Sequence, residues 1–267
     1  MTREPSPDAR AAELRQAGEW LASRDLGGVR PTPLLADRLA ARQRARLAGS
    51  VILALLILAS ALAATVNRFG PDDFRPMALP ALAVVVAGLL VAQSLLHGWV
   101  RRVDRRAGAT LSRRAAHLIQ PGWRTVLGRP YAVFSGAVFA ASVLLAGSAL
   151  AVPDRTVREL TVVMLIGLVG VYAITALQLR HLLRHPVVAE DEDSLTADVI
   201  MRVEDARELT TPSVQWSLPM VLLFGTAPGW WSAAALAYVL VSLAAFATLQ
   251  TKAPSSTTVA RQAVTAR

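Results

Sequence analysis

The chain contains no cysteine, which excludes disulfides, zinc–thiolate centres, iron–sulfur clusters and thiol catalysis. Lysine is almost absent: Lys252 stands alone against 27 Arg. Charged residues make up 18% of the 267 residues, against about 25% in an ordinary soluble domain. With 54% hydrophobic residues and a mean hydropathy of +0.42, that shortfall excludes a soluble globular domain and a disordered chain alike. No GxxxxGK[ST] or GxGxxG loop is present, so nucleotide chemistry is not encoded. The long apolar runs carry no charged residue, which removes the usual proton-coupling groups of transporters. Intramembrane proteolysis would need paired Asp, Ser with His, or a zinc motif, and His97 is the only His near a run's end. These absences point to a non-enzymatic protein with no cofactor and no metal.

What is present is length of apolar chain. A membrane-spanning helix needs about 20 mostly apolar residues. Residues 48–66, 77–99, 131–152, 161–179 and 229–250 meet that requirement. Between 211 and 228 lies a shorter run carrying Pro219, closed by Ala227, Pro228 and Gly229. Pro removes a backbone donor and Gly favours turns, so this run reads as a short, kinked span, with Pro219 as a functional kink candidate. The expected fold is all-α: a polytopic helical membrane protein of six spans arranged as three hairpins, with amphipathic cytoplasmic helices. Its parts are an N-terminal segment 1–47, a membrane domain 48–250 and a tail 251–267.

Arg position sets the orientation, because short loops rich in Arg and Lys stay in the cytoplasm. Segments 1–47, 100–130, 180–216 and 251–267 hold 24 of the 28 basic residues. The turns 67–76 and 153–160 hold the other four, each balanced by acidic neighbours. Both termini are therefore expected in the cytoplasm, and the protein in the plasma membrane. Trp99, Trp123, Tyr131, Trp216, Trp230 and Trp231 fall near expected span ends, where aromatic rings anchor at the headgroup level.

Thr32-Pro33 opens a basic amphipathic helix that runs into the first span, with Leu34, Leu35 and Leu39 against Arg38, Arg42, Arg44 and Arg46. Such a helix suits an interface with anionic lipid. Arg101, Arg102, Arg105 and Arg106 form a second basic cluster under the second span, followed by an amphipathic pattern over 107–120. The juxtamembrane position accounts for this charge, so lipid rather than nucleic acid is the expected partner. His181 and His185 have metal-ligand spacing, but Pro186 separates them from the acidic run at 190–193, which reads as the start of a helix over 194–209. Gly136/Ala140 and Gly167/Gly170 are small-residue pairs suited to close helix packing, within the chain or in a dimer.

Arg- and Ala-rich, lysine-poor and with a loop reading HPVVAEDEDSLTADVIMRVEDA at 185–206, the chain resembles the small multi-pass membrane proteins of actinobacteria. That resemblance implies layout and no functional residue. The long charged inner segments beside minimal outer turns suggest a partner or scaffold in a membrane complex, bound through its cytoplasmic loops. The alternative is the permease subunit of an ATP-driven exporter whose ATPase is a separate chain.

Overall fold

The computed structural model describes residues 7–69, 75–109, 122–184, 192–224, 226–227 and 229–265. Ten helices follow one another among these: α1 (Pro7–Ala22), α2 (Pro33–Phe69), α3 (Arg75–Ala109), α4 (Trp123–Val126), α5 (Arg129–Ala149), α6 (Arg155–Arg184), α7 (Glu192–Leu209), α8 (Ser213–Leu222), α9 (Trp230–Lys252) and α10 (Ser256–Thr265). Most of the expected helix over 107–120, together with His185, lies outside the described residues.

Local chemistry sets the ends. Asp25 takes a left-handed conformation (φ 58°), and the Leu26 N–H returns to the Leu21 carbonyl at 3.0 Å, which closes α1 before Gly27. At the start of α2, Thr32 Oγ1 accepts from the Leu35 N–H at 3.2 Å. Asp154 caps α6, its Oδ1 accepting from the N–H groups of Thr156 and Val157 at 2.7 and 3.3 Å.

Among the described residues, five helical stretches are long and apolar enough to cross a membrane: Pro33–Val66, Pro80–Arg106, Arg129–Ala149, Arg155–Arg184 and Trp230–Lys252. They leave Val51, Leu58, Val84, Leu95, Leu144, Ile166 and Val241 exposed, an apolar surface that only lipid would cover. The protein is a polytopic α-helical membrane protein, with charged and polar helical segments outside its hydrophobic core.

The six-span, three-hairpin arrangement does not hold. The run expected to be the fifth of six spans forms only α8, ten residues or about 15 Å of helix. Pro212 stands at its N-cap, Pro219 lies inside it, and Gly229 has a positive φ of 61°. Apolar composition was read as helix length, and these residues shorten the helix. α8 is also not a lipid-facing rod. It packs among α2, α5, α6 and α9, with Leu218 and Leu222 almost fully buried beside Leu160, Met164 and Leu168 of α6. The short helix is thus covered by protein, the condition under which so short a segment survives at membrane depth.

α9 runs antiparallel to α5. Trp231 Nε1 donates to Ser148 Oγ at 3.2 Å, the Tyr238 hydroxyl donates to the Val138 carbonyl at 3.1 Å, and Phe246 stacks on Phe134 at 5.7 Å. At the Phe246 end sits a helical cap made of α1, α7, α10 and the first turns of α2. Leu21 and Leu35 meet Ala197 and Met201 on one side of α7. Ala260 of α10 meets Val199, Ile200 and Val203 on another.

Gly167 lies where α6 meets both α8 and α3: an added Cβ would stand 3.3 Å from Leu218 Cδ1 and 3.4 Å from Val86 Cγ1. We expect Gly167→Leu to overpack this contact and lower stability by about 1–3 kcal/mol, measured by thermal unfolding in detergent. Gly136→Leu is the control, since nothing lies within 4 Å of an added Cβ there. Equal melting of the two variants would refute close packing at Gly167.

Candidate functional site: a buried charge network beside a cavity

Arg38 and Arg42 stand one helical turn apart on α2, and both are buried. Asp104, near the end of α3, bridges them. Its Oδ1 accepts from Arg38 Nε at 2.9 Å, while both of its oxygens accept from Arg42 Nη1 and Nη2 at 3.1 Å. On α7, residues 198, 202 and 205 share one helical face. Asp198 is wholly buried and accepts from Arg38 Nη2 at 2.5 Å and from Arg202 Nε at 2.8 Å. Asp205 accepts from Arg42 Nε at 3.0 Å. Three guanidinium groups and three carboxylates thus balance in one network. It ties the cap helix α7 to both α2 and α3.

The carboxylates of α7 respond in opposite directions. Burial works to raise the Asp198 carboxyl, but Arg38 and Arg202 hold it below the ordinary carboxylate range. Burial raises Asp205 above its ordinary value; Arg42 opposes the rise, and the nearby Asp104 charge adds to it.

These contacts revise the expected lipid-facing role of the basic helix. Arg38 and Arg42 face carboxylates inside the protein rather than headgroups. Arg44 pairs with Glu13 of α1 at 2.8 Å and Arg46 with Glu208 of α7 at 2.6 Å, both on exposed positions. In the second cluster, Arg102, Arg105 and Arg106 are exposed and Arg101 is half-buried. Among the aromatic residues, Trp99, Trp123 and Trp230 are exposed. Tyr131 is instead buried, with the Arg207 guanidinium 4.9 Å from its ring centroid. Trp216 is half-buried and edge-on to Phe246 at 5.5 Å, and Trp231 is held by Ser148. Pro219 is buried within α8.

Next to the network, α2, α3, α6, α7 and α8 line a partly open cavity of two adjoining lobes. The deeper lobe, about 280 Å³, is lined by apolar side chains such as Leu53, Leu56 and Leu90. The second lobe, about 250 Å³, is lined by Arg46, Gln93, His97, Arg101 and Gln178, and reaches Arg42 and Asp205 of the network. Gly49, Gln93, Val171, Glu208, Thr211 and Ser213 border both lobes.

Sequence reasoning missed the carboxylates Asp104, Asp198 and Asp205 and the polar residue Gln178. A signal existed for the first group: acidic residues seven apart on a helix face match Arg residues four apart on another. Nothing in the sequence says that the two faces meet. No protein family, no curated protein and no solved structure matches this chain.

Proposed function

We propose that the protein is a non-enzymatic component of a plasma-membrane complex, in which the membrane helices hold a folded cytoplasmic cap for a protein partner. The observation that supports this most is the buried network. It fastens α7, and through α7 the helices α1 and α10, to the two membrane helices α2 and α3. Such a fastening yields a cap of fixed position rather than a tethered tail. The charge bias of the sequence supports the cytoplasmic side for the cap. In this reading Arg102, Arg105 and Arg106 keep contact with anionic headgroups.

The cavity favours a second reading, the permease subunit of an ATP-driven exporter. One experiment addresses both. The full chain is purified from its native membrane in mild detergent, in parallel with a variant carrying Arg15→Glu and Arg261→Glu on exposed positions of α1 and α10. A partner present in fixed stoichiometry with the native protein, and lost from the variant, is the expected result. A partner that hydrolyses ATP would select the exporter reading. Purification of both proteins free of any stoichiometric chain would overturn the partner reading.

A further inference from the structure

Five helices line the two-lobed cavity; along three of them, α2, α3 and α6, the lining changes from apolar to polar in the same direction, while α7 contributes Asp205 and Glu208. On α3 it runs from Leu90 through Gln93 and His97 to Arg101, positions three or four apart and therefore on one face. On α2 it runs from Leu53 through Gly49 to Arg46. On α6 it runs from Val171 through Thr175 to Gln178. The gradient is apolar, then neutral and polar, then cationic. A uniformly apolar or uniformly polar ligand would mismatch one end of it.

The polar end has unmet bonding capacity of two kinds. Gln178 is only 7% exposed, and its buried Oε1 has no hydrogen-bond partner. A buried polar atom in this state calls for a donor. His97 Nδ1 lies 2.7 Å from the Gln93 carbonyl and donates to it, which leaves Nε2 outside that bond. Arg101 is half-buried at the same lobe and, among the described residues, has no carboxylate partner, whereas Arg42 and Arg46 each have one. The two carboxylates at this lobe, Asp205 and Glu208, are engaged by Arg42 and Arg46, which leaves Arg101 as the cation in excess; the lobe therefore asks for hydrogen-bond donors and one negative charge.

We propose that this cavity binds an anionic amphiphile with one acyl chain in the apolar lobe and a hydroxylated phosphate head in the polar lobe. Each lobe approaches the lower end of the range typical of small-ligand sites, about 300–1,000 Å³, and together they fall within it. The head chemistry is that of a phosphoglycerol lipid. The inference does not depend on the partner reading above.

Gly49 supplies the decisive variant. It borders both lobes, and an added Cβ there meets nothing within 4 Å, so a larger side chain enters the cavity rather than a neighbouring helix. The full-length protein is placed in phosphatidylcholine nanodiscs and titrated with lysophosphatidylglycerol, lysophosphatidylcholine of the same chain, and glycerol phosphate, with binding read by native mass spectrometry. The anionic lysolipid should bind about tenfold or more tightly than the zwitterionic one, the scale of one hydrogen bond to a charged group. Arg101→Gln should level the two. Gly49→Phe should abolish binding of both while keeping the monodisperse profile and melting temperature of the native protein. Should Gly49→Phe fold poorly, Gln178→Leu takes its place: removal of the unpartnered amide should raise the melting temperature of the free protein and weaken the anionic lysolipid. Equal affinity for both lysolipids, or unaltered binding in Gly49→Phe, would overturn the proposal. So would glycerol phosphate binding as tightly as its lysolipid, which would mark a simple phosphate site.

Discussion

Asp198→Asn should free the cap from the membrane helices and lower stability by about 3–5 kcal/mol, the cost of leaving a buried charge without its partner. Two guanidinium groups converge on this carboxylate, and it has no exposure to water that could compensate them. Amide hydrogen exchange across α7 and α10 is the direct measurement: protection should fall there and persist in α5, α6 and α9. A buried ionic network stabilises little in itself compared with apolar packing. Replacing Arg38, Asp198 and Arg202 together by Met, Leu and Met should therefore cost much less than Asp198→Asn alone. If the triple variant is the worse of the two, the network does more than satisfy its own charges.

The same carboxylates set an acid dependence with two parts. Asp198 has a lowered folded value, so its contribution is present above the ordinary carboxylate range, about pH 3.9, and is lost as pH falls through the folded value. Asp205 has a raised folded value, so its contribution is present below that range and is lost as pH rises through its folded value.

A second expectation is all-or-none. Reporters fused to the N-terminus and after Arg267 should report the same compartment, because α1 and α10 pack on the same helix, α7. Green fluorescent protein at both ends should fluoresce, and alkaline phosphatase at both should stay inactive, if the cap is cytoplasmic. Activity at one end and not the other would separate α10 from α7 and undo the cap.

Much of the fold was legible because membrane helices announce themselves by composition. Thr32-Pro33 marked the start of α2, and the continuity of the basic helix with the first apolar run reappears as a single helix of 37 residues. The apolar runs at 48–66, 77–99, 131–152, 161–179 and 229–250 all contribute to long helices. Residues 211–228 failed for a specific reason: hydropathy records what a segment would do in lipid, and α8 lies among other helices. Arg38 and Arg42 failed for another. Amphipathicity is local, whereas the groups that neutralise these arginines lie 62 to 163 residues away in sequence. Gln93 and Gln178 stand far apart in apolar stretches of the sequence, and only the approach of α3 and α6 makes them neighbours of one cavity.

The bridging position of Asp104 has a consequence for how the chain is put together as it is made. α2 and α3 pack extensively on each other, and Arg38, Arg42 and Asp104 all belong to that pair. The ribosome completes this pair long before α7 emerges. At that stage two arginines share one carboxylate, and the nascent pair carries an excess positive charge at its edge. α7 arrives with Asp198 and Asp205 set at the spacing that cancels it, and with Arg202 to balance the second acid. In the finished protein the α2–α3 pair thus brings one positive charge in excess and α7 one negative, and their docking cancels both.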